Sequence, residues 1–270
     1  MNFCQRSGSS FNTGKEGDFL TMIRLSEGLA LHKYRGKTSN VYIIVDSIRQ
    51  ATYMVDCGIP GDVPNLTDFL KQTPPLKRVI ITHFHVDHIS GWIELRKIFQ
   101  DAEIWFHEKA RPFVMGHERI PFPSLSAFRE ILIPCMKEYG FIPHPGDLLR
   151  GALYGTPFRA GFPEDRVQFY NDSDEPLPGF KAIHTPGHRP DCTSFYHPES
   201  GAIITGDTIL VMNGEPISNT FLENPDDQNM SIEKIMQLEG LKIIYPGHGI
   251  CYRLEHEPFL MNIDIFSSMI

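Results

Sequence analysis

His83, His85, Asp87 and His88 put three imidazoles and a carboxylate within six residues, directly after the apolar run Val79-Ile80-Ile81. That run reads as a buried strand. Residues two apart in an extended segment share a face, so His83 and His85 aim at one point while Phe84 turns the other way. Asp87 and His88 fall where the chain turns into a helix, because Ile89, Trp92, Ile93, Leu95, Ile98 and Phe99 recur at helical spacing and Asp87 is a candidate N-cap. Taken singly, a His or Asp near a strand end is a surface or capping residue. Taken together, these four are the donor types of zinc and similar first-row metals, and crowding them without a cation leaves polar groups unpaired. Metal ligation is the chemistry this stretch points to.

Such a cluster needs a framework, and 270 residues with 41% hydrophobic content can bury a substantial core. Residues 1–18, rich in Ser, Gly and Asn, read as a loose tail, and 19–270 as a single domain without internal repeat or linker. Short β-prone runs at 22–25, 29–34, 41–45 and 52–55 predict strands joined by hairpins or a meander, the last closed by Asp56-Cys57-Gly58. Val63, Leu66, Phe69 and Leu70 predict a helix ending before Pro74-Pro75. Beyond a strand at 103–106, the stretch 107–165 changes character and reads as an insert covering the site. Leu125, Phe128, Ile131, Leu132, Cys135, Met136 and Tyr139 form a helical stripe there, kinked at Pro134 and ended by Gly140. Tyr154, Phe158 and Arg159 then lie in Pro- and Gly-rich loops suited to a substrate-facing wall. Strands follow at 167–170, 180–185, 193–196, 202–205 and 242–245. A helix capped by Ser231, carrying Ile232, Ile235, Met236 and Leu238 and stopped at Gly240, precedes the last of them.

Three later places share one pattern, a strand end followed at once by a polar residue in a Gly-containing turn: Thr185-Pro186-Gly187-His188, Thr205-Gly206-Asp207 and Pro246-Gly247-His248. Each alone is commonplace. In this order behind the HxHxDH motif they resemble the metallo-β-lactamase superfamily of hydrolases, over roughly 22–251. The resemblance implies an α/β fold of the four-layer αββα type, two face-to-face sheets with helices outside and metals at one edge. It implies that His83, His85 and His188 bind a first metal, that Asp87, His88 and His248 bind a second, and that Asp207 bridges them. The Asp56-Cys57-Gly58 turn would support the metal loops without binding. The implied cofactor is two divalent ions, zinc in the first place, with iron or manganese as alternatives. Set against Asp87, Asp207 and a shared hydroxide, two such ions leave a net charge of about +1, which favours a substrate oxygen gaining negative charge. The implied chemistry is hydrolysis by that hydroxide, with Asp87 and Asp207 as the catalytic carboxylates.

Absences narrow the substrate. Only 22 residues follow His248, short of the C-terminal helical region with which glyoxalase II-like thioesterases hold glutathione, and Leu210 stands where acyl-homoserine lactonases place a tyrosine. A dedicated antibiotic-degrading β-lactamase is disfavoured by the expected cytoplasmic location. What is left is a small-molecule ester, lactone, thioester or phosphodiester, with the carboxylic ester or lactone preferred. Alternatives are a mononuclear iron sulfur-oxidising dioxygenase and a ligand-binding member without useful turnover. A formal charge of −8 gives no basic footprint for nucleic acid or an anionic membrane. Neither a long apolar run nor a secretory leader is evident. Cys4, Cys57, Cys135, Cys192 and Cys251 are scattered without CxxC pairing, which argues against a disulfide framework. A homodimer through the helical insert is the one protein partner suggested. His184 is read as a hydrogen-bonded strand residue, and Arg189 and Asp191 as groups that orient a ligand or the substrate.

Overall fold

The structure is a computed structural model that describes residues 19–119, 162–163, 165–212 and 214–254. Alternating side chains along its strands sort into three separate apolar cores, and these define the layers. In β3 (Asn40–Asp46), Val41 and Ile43 face one way and Tyr42 and Ile44 the other. Val41 and Ile43 pack with Leu66 and Leu70 of α1 (Val63–Leu70), with Trp92 and Leu95 of α3 (Trp92–Ile98) and, in the same core, with Phe113 and Val114 of α4 (Arg111–Val114). Tyr42 and Ile44 pack across to Ala202 and Ile204 of β10 (Ala202–Gly206) and to Ile243 and Tyr245 of β13 (Ile243–Pro246). Ile203 and Ile244, on the far face of that second sheet, meet Ile232 and Ile235 of α5 (Pro225–Met236). Helix, sheet, sheet and helix therefore stack as an αββα sandwich, each sheet buried on both faces.

Among the described residues the first sheet has seven strands in sequence order. Its members are β1 (Phe19–Ser26), β2 (Leu29–Arg35), β3, β4 (Ala51–Val55), β5 (Leu76–Ile80), β6 (Glu103–His107) and β7 (Val167–Tyr170). The second runs β14 (Tyr252–Arg253), β13, β10, β9 (Thr193–His197), β8 (Lys181–His184). Strands β4 to β7 are mutually parallel, as are β10 and β13, while β8 and β10 each pair antiparallel with β9 and so run together. Within each sheet, the chain thus leaves the strands that carry site residues at one common edge. Every strand expected from 22 onward is present, the first starting earlier, at Phe19. The residues from 120 to 161, with the helical stripe, Tyr154, Phe158 and Arg159, lie outside those described.

Four expectations are corrected. His83 and His85 do not ride on a strand, because β5 stops at Ile80 and the chain turns out of the sheet after Ile81 N donates to Trp105 O at 2.9 Å. Asp87 is not the N-cap: His85 is, and Asp87 occupies the first turn of α2 (Val86–Ile89). The expected single helix is split at Ser90-Gly91, because the 57–58 turn packs into the break, with Cys57 N on His88 O and Gly91 N on Gly58 O, both at 2.8 Å. A Cβ on Gly91 would collide with the carbonyl oxygen of Cys57. Gly91→Ala should therefore cost about 1–3 kcal/mol and lower Tm by several degrees in a thermal melt. The helix over 231–240 begins instead at Pro225, where Asn224 accepts from Asp226 N at 3.0 Å and Asp227 N at 3.2 Å, and Ser231 spends its hydroxyl on Pro186 O at 2.6 Å. A hairpin of β11 (Ile209–Met212) and β12 (Glu215–Ser218) follows Asp207, and its signal was the apolar run before Asn213-Gly214.

Candidate metal centre

Four loops from four strands bring the seven sequence-predicted residues together. His83 and His85 follow β5, His188 follows β8, Asp207 follows β10 and His248 follows β13, with Asp87 and His88 in α2. The ligand atoms of His83, His85, His188 and Asp207 all lie within 4.8 Å of one another, and those of Asp87, His88 and His248 do likewise. Asp207 joins the two sets: its Oδ2 is 3.8 Å from His83 Nε2, 3.6 Å from His188 Nε2 and 3.3 Å from His248 Nε2, and its Oδ1 is 3.4 Å from His88 Nε2. Asp87 Oδ2 sits 3.4 Å from His248 Nε2 and 3.7 Å from His88 Nε2. Gly247 makes this approach feasible, since a Cβ there would run into Asp207 Oδ1 and the backbone of Gly206.

The outward-facing ring nitrogens are held by groups that can only accept, which leaves the inward nitrogens as bare lone pairs. His88 Nδ1 donates to Asp56 Oδ2 at 2.8 Å, His248 Nδ1 to Thr38 O at 2.8 Å, and His188 Nδ1 to the Phe221 carbonyl. His83 Nδ1 lies 3.1 Å from Thr82 Oγ1, whose hydroxyl donates to Asp56, so one carboxylate orients a histidine of each set. His85 is the exception, turning Nδ1 inward to within 3.0 Å of His188 Nε2 and 3.1 Å of His83 Nε2. Asp56 takes a left-handed backbone with φ 61°, a conformation costly for a non-glycine residue and tolerated where the surroundings over-determine it.

The electrostatics match a cation-binding set. Burial first, and the neighbouring imidazoles second, hold His83 and His85 well below the usual imidazole range, and burial lowers His188 as well, so all three stand neutral near pH 7. Burial opposes a charge on Asp207, but His248 and His88 outweigh it and hold the carboxyl well below its ordinary range. Burial likewise opposes protonation of His88, yet Asp87, Asp56 and Asp207 together push its pKa well up. The same carboxylates that favour positive charge on His88 would favour a metal cation beside it. His88 Nε2 and Asp207 Oδ1 are both buried with no hydrogen-bond partner, a cost that a shared cation would relieve. The donor set fits divalent metal.

One consequence concerns pH. His83, His85 and His188 bind protons more readily in the unfolded chain, at about 6.5, than when folded, so metal-free stability should fall as pH drops below about 6.5. His88 works in the opposite sense, but its contribution is complete once pH has fallen to the unfolded value, and it adds no slope below it. Urea denaturation of metal-stripped protein should give a lower midpoint at pH 5.5 than at pH 6.5, each of the three costing up to about 1.4 kcal/mol per pH unit.

A model of the metallo-beta-lactamase superfamily matches residues 34–248, from the second strand through the last of these histidines. The chain belongs to that superfamily. Among its relatives, the probable metallo-hydrolase YflN of Bacillus subtilis is 24% identical over 253 residues, covering 86% of this chain and 89% of that one. The atrochrysone carboxyl ACP thioesterase of Aspergillus fumigatus is 41% identical over 84 residues, 31% of this chain and 25% of that protein. Of the solved structures, TTHA1623 in a di-iron-bound form shares the fold with a TM-score of 0.52 at 22% identity, over 80% of this chain and 89% of that one.

Other residues of this metallo-beta-lactamase superfamily chain support the centre from outside. Asp191 Oδ2 accepts from Phe84 N at 2.6 Å, pinning the peptide between His83 and His85, and Arg189 lies 3.8 Å from Asp191 Oδ1, pairs with Glu223 and stacks 4.4 Å from the Phe113 ring. Asp191 thus touches the backbone between two candidate ligands, whereas the Arg189 side chain contacts Asp191, Glu223 and Phe113 and none of the seven candidate ligands directly. His184 ends β8 with Nε2 on Pro190 O at 2.7 Å and stacks on His107 with ring centroids 4.8 Å apart. Sequence reasoning passed over Thr82, Phe221 and Gln228. Phe221 lies 5.9 Å from the His85 ring and 5.6 Å from that of His188, centroid to centroid. Gln228, buried in α5, accepts from His188 N at 3.2 Å and donates to Thr208 O at 2.7 Å. An amphipathic helix betrays no such inward amide. Among the described residues no helix is long and apolar enough to cross a membrane.

Proposed function

We propose that this chain is a metal-dependent hydrolase of small-molecule esters, lactones or related acyl compounds. Its centre would hold two divalent cations, one on His83, His85 and His188, the other on Asp87, His88 and His248, with Asp207 between them. The observation that carries this reading is the position of Asp207, whose two oxygens lie 3.3–3.8 Å from four imidazole nitrogens drawn from both sets. When bound, such a pair of cations supplies a water ionised near neutral pH and polarises the electrophile it meets.

The remaining work falls to the chain. The outward hydrogen bonds of His83, His88, His188 and His248 keep their donor atoms pre-aimed, so little reorganisation accompanies reaction. Phe221 excludes water on the side of His85 and His188. Asp87, with its side chain 29% exposed against 7% for Asp207, is the carboxylate in touch with solvent and carries the proton to the departing group. Convergence of Asp87, His88 and His248 favours hydrolysis over oxidation at a single iron, which needs only the first set. The acyl preference draws support from the thioesterase among the relatives, and TTHA1623 makes iron the second metal to test after zinc.

The zinc-loaded protein should carry two ions per chain by elemental analysis and turn over at least one member of a panel of esters, lactones and thioesters. Chelation should abolish turnover, and restoring zinc should return it. Two ions with no hydrolysis of any acyl compound, or one iron per chain with oxygen consumption, would overturn the assignment.

A further inference from the structure

The inter-sheet face of the first sheet changes character at its site edge. Along β2 and β3 it runs through Leu29, Leu31, Tyr42 and Ile44, all in the core between the sheets, and then presents Lys33 and Asn40, which are also buried. Lys33 pairs with Tyr42 across the ladder, and Asn40 pairs with Arg35 two residues further on, so Lys33, Asn40 and Tyr42 form one polar cluster.

All three side chains reach across to the turn that carries His248. Tyr42 Oη donates to Pro246 O at 2.6 Å, Asn40 Nδ2 to Pro246 O at 2.8 Å and to Gly249 O at 2.9 Å, and Lys33 Nζ to Gly249 O at 2.6 Å. The Asn40 backbone N–H donates to Gly247 O at 2.7 Å, and Val211 N donates to His248 O at 3.1 Å. All four carbonyls of residues 246–249 are thereby held, three of them from the opposite sheet, and the Lys33 bond is charge-assisted and so among the stronger kinds. Apolar packing between sheets tolerates small slips; a set of directional bonds does not.

Both ligand sets draw on both sheets, but these bonds grip only the 246–249 turn, which carries His248 and none of His83, His85 or His188. Asp87 and His88 come from the first sheet, whereas His248 comes from the second, so their meeting depends on how the sheets register. We infer that Lys33, Asn40 and Tyr42 are positioning residues that set the affinity of the Asp87–His88–His248 position. The His83–His85–His188 position is held separately, through Gln228 on His188 N and Asp191 on Phe84 N. This inference rests on the two-cation reading above.

The test is stepwise titration of metal-stripped protein with cobalt(II), followed by visible absorption and calorimetry, on the full chain and on Asn40→Ala, Lys33→Met, Gln228→Ala and His88→Ala. Wild type should take two equivalents. Asn40→Ala and Lys33→Met should weaken the second equivalent about 10–100-fold while leaving the first unchanged, and their one-equivalent spectrum should match that of His88→Ala. Gln228→Ala should do the reverse and weaken the first. Equal weakening of both equivalents in Asn40→Ala and Lys33→Met, as general loosening of the fold would give, overturns the inference, and so does wild-type affinity at both. A wild type that takes fewer than two equivalents sinks the two-cation reading itself and the clamp with it.

Discussion

On the proposed function, Asp207→Ala should lose stoichiometric metal and turnover together, with kcat/KM falling on the order of 10³-fold or more, about 4 kcal/mol of transition-state stabilisation. The magnitude follows from position. Asp207 touches both ligand sets, with His83 and His188 on one side and His88 and His248 on the other, so no single-position loss describes its removal. It is also the more buried of the two candidate ligand carboxylates, its side chain far less exposed than that of Asp87, so its charge is weakly screened and its contribution to cation affinity large. Asp207→Asn keeps the shape and removes the charge, and should fail nearly as badly; His248→Ala should lose one ion and keep the other. Elemental analysis beside steady-state kinetics checks all three, with far-UV circular dichroism to establish that the fold persists. Retention of two ions by Asp207→Ala would remove this residue from the centre.

Asp56→Ala should do more damage to the fold than any ligand replacement. Its carboxylate accepts from Thr82 N at 2.8 Å, from the Thr82 hydroxyl and from His88 Nδ1, all buried, and through Thr82 it orients His83. Removing it strands three donors at once. A loss of about 3–5 kcal/mol is expected, with Tm lower by roughly 10 °C, and metal affinity should drop about 10–100-fold at both positions. Asp56→Asn discriminates between the two roles: one amide oxygen can still serve Thr82, but the amide NH₂ then faces His88 Nδ1–H, donor against donor. That variant should keep most of the stability at the Thr82 side and lose mainly the Asp87–His88–His248 position, which differential titration with cobalt(II) would reveal.

The contrast between Asp207 and Asp56 marks the limit of reading along the chain. Asp207, His188 and His248 each end a β-prone run in a Gly-containing turn, a pattern commonplace singly, and it was their order behind the HxHxDH motif, with the family resemblance that order carries, that pointed to them as ligands. The layers were expected from the family resemblance and not from patterning: β3 and β10 are apolar on both faces, so their runs mark buried strands without showing which core each face joins. Local spacing misjudged the segment 86–98, where one helical stripe became two short helices because a distant turn, at 57–58, packs into the gap at Gly91. It also misjudged the start of α5, where Asn224 outcompetes Ser231 as cap once Ser231 is committed to Pro186 O.

Ligand types, their order and the strand ends that carry them are properties of short stretches, since hydrophobic period and turn chemistry act over a handful of residues. Which nitrogen of each imidazole points inward, how Asp56 reaches both histidine sets, and how Lys33 and Asn40 grip a turn more than 200 residues away are set by contacts across the two sheets. Hydrogen bonds are directional to within tenths of an ångström, and only the packed sandwich brings donors and acceptors that far apart in the chain to such distances.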